Sequence, residues 1–155
     1  MLTSRTNSVA TRSDRPRAVW AIGLIAAAIA TVGSLFSYAL ATVGGVSLLM
    51  SFQPDTAPIQ LPAGMVIATT IAGVVLATIV FAVLRRLGRR GLRAFQIAGV
   101  AFLLLSLTGP LGLNGADVPT KIALVLMHIV TGTSILLVFS RLGTSSPAAP
   151  AAERP

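Results

Sequence analysis

Few side chains in this chain are of types that do chemistry. His128 is the only histidine, Tyr38 the only tyrosine, and there is no cysteine. An imidazole, with an ordinary pKa near 6.5, can carry a proton, share a hydrogen bond or ligate a metal. His128 sits inside a long apolar run between Lys121 and Arg141, and Thr131 and Gly132 follow it by three and four residues. At helical spacing these three share one polar, close-packing face. Two readings follow: His128 hydrogen-bonds across helices as structural glue, or His128, Thr131 and Tyr38 line a pocket for an apolar or lipid-like ligand. Haem ligation would need a second axial residue, and the neighbouring Met127 projects from another face. No metal or other cofactor is expected.

A second candidate is the pair Asp117 and Lys121, four residues apart at the start of the same run. They could act as acid and base at an outer mouth. The simpler reading makes Asp117 a helix N-terminal residue favoured by the macrodipole and Lys121 a side chain that snorkels to an interface. Without a carboxylate pair, a thiol or a second imidazole, the expectation is that the chain is not an enzyme. The absence of Asp, Glu, Lys and Arg from the middle of every apolar run argues against a proton- or ion-coupled carrier.

The densest charge lies at residues 85–93, RRLGRRGLR, where Arg85, Arg86, Arg89, Arg90 and Arg93 stand together. Several are four apart, so on a helix they would line one face and meet anionic lipid headgroups. Nucleic acid is not expected as a partner, because the stretch lacks interleaved aromatics and any recognisable binding fold.

What positions these residues is a chain built for lipid. Of its 155 residues 54% are hydrophobic and only 10% charged, with mean hydropathy +0.86. A soluble domain carries roughly 25% charged residues. A bilayer crossing takes about 20 apolar residues, and four such spans are legible: about 18–42, 63–84, 94–113 and 120–140. The fold class is therefore all-α, a four-helix transmembrane bundle within 18–141. Flanking it are a basic polar tail, 1–17, and a Ser-, Pro- and Ala-rich tail, 142–155, both expected to be disordered. Residues 18–50 hold no charge, and as one helix would measure about 50 Å; Gly44 and Gly45 are expected to end it. A basic start, an apolar core and Ala39-Leu40-Ala41 also resemble a secretory signal with a cleavage site, although the apolar part is longer than usual for one.

Residues 51–62, with Pro54, Pro58 and Pro62, read as an outer loop carrying Gln53 and Asp55. Gly109 and Pro110 are expected to kink or end the third span. Ala26, Ala30 and Ser34 recur at four-residue spacing in the first span, and Gly64, Ala68 and Ala72 in the second, with Thr69, Gly73 and Ala77 beside them. Small residues so spaced let helices approach closely, so the second span is expected near the bundle centre. Eleven basic residues fall on one side of the spans and only Lys121 on the other. By the positive-inside rule both termini and the basic loop are cytoplasmic, and the Arg-, Ala- and Gly-rich composition suggests a bacterial inner membrane. Membrane lipid, and a second copy or another membrane protein, are the expected partners.

The stretch LLLSLTGPLGLNGADVPTKIALVLMHIV, residues 103–130, resembles an uncharacterised family of small actinobacterial four-helix membrane proteins, known as a domain of unknown function. The pattern opening the last helix carries the likeness: Thr120, Lys121, Ala123, Leu126, Met127 and His128. The resemblance runs from the first span through Arg141. It implies a four-helix integral membrane protein and no particular activity.

Overall fold

A computed structural model of the chain describes residues 14–51, 57–113 and 115–143, with side chains from residue 19 onward. Gln53, Asp55 and both chain ends lie outside the described residues. The fold is an all-α four-helix bundle. Helix α1 is Asp14–Val43, α2 is Ala63–Leu84, α3 is Arg89–Ser106 with a short continuation α4, Thr108–Gly112, and α5 is Val118–Leu142. Four helical stretches are long and apolar enough to cross a membrane: Val19–Val43, Ala63–Leu87, Arg89–Gly112 and Val118–Leu142. Around the bundle α1 neighbours α2 and α5, and α3 closes the ring between them.

Several boundaries depart from the sequence reading. Helix α1 starts at Asp14, four residues inside the stretch assigned to the polar tail. Pro16 is no obstacle there, since first-turn N–H groups have no intrahelical acceptor and proline simply lacks one. The third span starts at Arg89 rather than 94, so Arg89, Arg90 and Arg93 are helical. Its break falls at Leu107, because Pro110 offers no N–H to the Ser106 carbonyl four residues back and its ring crowds that carbonyl. The outer loop contains an antiparallel two-residue pairing that the prolines did not announce. In it β1, Leu49–Met50, faces β2, Ile59–Gln60. Helix α1 ends where Gly44 and Gly45 suggested, with Gly45 at φ +78°.

Two cores fill the bundle. At the end bearing the arginines, Phe81, Phe95 and Phe139 meet at centroid distances of 5.0–5.4 Å, one pair edge-on at 78°, over Val19, Ile22, Val74 and Ile135. At the other end the hairpin folds Leu48, Met50 and Leu61 over Val66, Leu124 and Met127. The connection between α2 and α3 is a single 3-10 turn, Arg85–Leu87, reversed by Gly88 at φ +63°. It is so tight that a Cβ on Gly91 would land on the Leu84 carbonyl.

Gly91→Ala should therefore cost about 3 kcal/mol, the upper range for overpacking. Gly73→Ala, whose new Cβ would meet nothing within 4 Å, should shift stability by no more than about 1 kcal/mol in the favourable direction. Denaturation midpoints of the two variants in detergent would check this, and equal midpoints would contradict it.

Candidate functional site

Between the two cores lies a polar centre. Ser34, 1% exposed on α1, donates its hydroxyl proton to the Ala30 carbonyl at 2.8 Å. The hydroxyl of Thr70 on α2 donates to Ser34 Oγ at 3.2 Å. Thr131 Oγ1 on α5 lies 2.6 Å from the same oxygen. A serine hydroxyl has one proton and two lone pairs, and its proton is committed to Ala30, so Thr131 must be the donor. All three capacities of Ser34 are then used, and three helices are tied at one atom.

The helices come close enough because the stripe leading to Ser34 is small. Ala26 and Ala30 are fully buried on it. Nearby, Gly23 leaves space that the Thr78 side chain occupies, and Gly33 does the same for Val130.

The residues grouped by sequence as a pocket do not converge. Only Thr131 joins the centre. Tyr38 donates its hydroxyl to the Leu61 carbonyl at 3.0 Å, fastening the hairpin to α1. His128 bonds within its own helix, Nδ1 to the Leu124 carbonyl at 2.8 Å, and so is not the cross-helix tie expected of it. A carbonyl only accepts, so Nδ1 is the donor in this bond. Its place follows from the α3–α5 register. Ser140 accepts from Gln96 Nε2 at 3.1 Å, Leu136 packs on Gly99 and Leu103 on Gly132. One more turn brings half-buried His128 level with the break at Leu107.

Asp117 and Lys121 are likewise separate. Asp117 caps α5, its Oδ1 accepting from the Thr120 N–H at 2.9 Å, while Lys121 Nζ donates to the Leu111 carbonyl at 3.3 Å. The Asp117 carboxyl is held below its ordinary 3.8 by the Thr120 hydroxyl first and the Thr120 N–H second. The hydroxyl acts as an electrostatic neighbour only, since Thr120 Oγ1, fully buried, completes no hydrogen bond. The N–H contact is the cap.

Ser34 and Thr70 carry no titratable group, so the titratable side chains of the sequence do not point to them. Ser34 was legible as a small residue on the Ala26–Ala30 stripe, but its hydroxyl was the informative part. Thr70 falls four residues from Val66 and from Val74, but α2 is apolar on every side, so its spacing alone does not mark it as inward-facing. The small face of α2 was also misjudged. The helix buries Val66, Thr70, Val74, Thr78 and Phe81, while Gly64, Ala68 and Ala72 are exposed. Larger side chains fill the ring of four, so that row is turned out, while Gly73 and Ala77 beside it are half-buried and Ala77 packs against the core.

The arginines gather at one end. Arg86, Arg89, Arg90, Arg93 and Arg141 are exposed and Arg85 half-buried. Among the described residues no three His, Cys, Asp or Glu side chains converge as metal ligands would.

Ser34→Ala leaves the Thr70 and Thr131 hydroxyls without their acceptor and should destabilise the bundle by about 1–2 kcal/mol. Thr131→Val removes one bond and should cost about half as much. Reversible unfolding from mild detergent into a denaturing one measures both, and an unchanged Ser34→Ala would remove the tie from the account of stability.

No curated protein and no solved structure is detectably similar to this chain. A family described as being of unknown function (DUF6069) matches residues 14–145, beginning at the first residue of α1 and running just past α5. The chain thus belongs to that family.

Proposed function

We propose that this protein is an accessory component of the bacterial inner membrane that works by packing against a second copy of itself or another membrane protein, without catalysis of its own. The observation that carries the reading is the outward small face of α2. Gly64, Ala68 and Ala72 recur every four residues and are exposed, and a Cβ on Gly64 would meet nothing within 4 Å. In lipid, apolar surface alone does not drive helices together, whereas small residues at this spacing permit backbone contact. Orientation rests on charge: the arginines of 85–93 and Arg141 share one end of the bundle and Lys121 the other, which favours both termini in the cytoplasm.

The chain has no cysteine, so single cysteines can be introduced cleanly. Ala68→Cys and Ala72→Cys should give crosslinked species above monomer mass in native membranes, and Val32→Cys on the exposed face of α1 should not. Monomer alone at both α2 positions would sink the reading.

A second reading is favoured by the position of His128. Its ring lies level with the α3–α4 break, where Pro110 leaves the Ser106 carbonyl without its usual donor. Two polar groups at one depth suit an apolar or lipid-like ligand that carries a hydroxyl. Under this reading His128→Leu releases a copurifying small molecule from protein that keeps its fold; under the first it changes neither, and lipid extraction with mass analysis separates the two.

A further inference from the structure

Helix α3 is the least enclosed of the four spans, with 11% of its apolar window buried against 22–33% in the others. Inward it buries only Gly91 and Phe95. On the opposite side Arg89, Arg93, Gln96, Ile97, Val100 and Leu104 fall at i, i+4, i+7, i+8, i+11 and i+15, one continuous stripe of a 3.6-residue helix. The lower part of that stripe is concave. Gln96, Ile97, Val100, Ala101 and Leu104 line a shallow, wide-open and almost wholly apolar groove on the outer surface of α3 alone.

Charge and groove therefore form one amphipathic surface, and we propose that it binds a single anionic phospholipid, headgroup on Arg89 and Arg93 and one acyl chain along the groove. Three observations fit this occupant. The five arginines of 85–93 have no acidic partner among the described side chains, and Arg89 and Arg93 repel at four-residue spacing on α3. An anion placed among them relieves that repulsion, and guanidinium groups hold phosphate oxygens in bidentate fashion. The length also fits. Arg93 to Leu104 spans about 16 Å at 1.5 Å per residue, close to half the roughly 30 Å hydrocarbon thickness. The stripe ends where α3 breaks at Leu107, so the surface is one leaflet deep. Gln96 stands at the junction and reaches Ser140, which leaves the groove below it apolar. A neutral zwitterionic lipid could enter the groove but would bring a cation to the arginines.

The test uses the full chain in nanodiscs made from equal parts phosphatidylglycerol and phosphatidylcholine, with gentle release and native mass spectrometry to count retained lipids. One phosphatidylglycerol should be retained in preference to phosphatidylcholine. Arg89→Gln with Arg93→Gln should weaken retention roughly thirtyfold, from about fivefold per basic residue near an anionic surface, whereas Arg89→Lys with Arg93→Lys should keep much of it. Val100→Trp fills the groove without changing charge and should lower retention too. Leu24→Trp, on the exposed face of α1, should not. All these positions are exposed, and circular dichroism with gel filtration confirms that each variant folds. Equal retention of the two lipids, or retention unaffected by the glutamine pair, overturns the proposal. Loss with the glutamine pair but none with Val100→Trp overturns it as well, since the arginines would then be screening a surface without holding a lipid in a groove.

Discussion

The hydroxyl of Ser34 is the constraint on which the bundle depends. In water, burial of apolar area would hold four helices together, but among lipid tails as apolar as leucine that term nearly vanishes and packing and hydrogen bonds must choose the arrangement. The two apolar cores fix the helices by shape, through contacts such as Leu136 on Gly99 and Leu103 on Gly132. A fully used hydroxyl cannot slide. Moving α2 or α5 by one turn would part Thr70 or Thr131 from Ser34 and leave each hydroxyl the backbone of its own helix to bond, in a medium with no water to substitute. The Ala26–Ala30–Ser34 stripe and the tie are therefore one device: the alanines bring the backbones close enough for short side chains to meet, and the hydroxyls reject other registers.

The spans, their number and several of their ends could be read from residue order because each is set locally. Four apolar stretches follow from hydropathy, the end of α1 from Gly44 and Gly45, the cap of α5 from Asp117, and the interruption of the third span from Pro110. What could not be read depends on which face of each helix turns inward, a property of the four helices together. The small residues of α2 satisfy the same spacing rule as those of α1, yet one set is buried and the other exposed. Nothing within α2 distinguishes them; the choice follows from Thr70 and Thr78 being needed against α1. His128 was misjudged for a related reason. A lone polar group in an apolar helix can always turn to its own backbone, and the Leu124 carbonyl four residues back is nearer than any neighbouring helix.

The structure is also uneven in a way that bears on function. Helices α1, α2 and α5 share the hydroxyl tie and most of the small-residue contacts, and form a tightly specified trio. Helix α3 is held mainly at one end, by Gly91 under the Leu84 carbonyl, by Phe95 in the aromatic cluster and by Gln96 on Ser140. Further along it touches α5 through Leu136 over Gly99 and Leu103 over Gly132, and it then breaks at Leu107. Specificity in the bundle thus decreases from the trio toward α3, while exposed surface increases. The polar centre thus fixes the register of the trio, and α3 takes its own from the aromatic cluster and from α5.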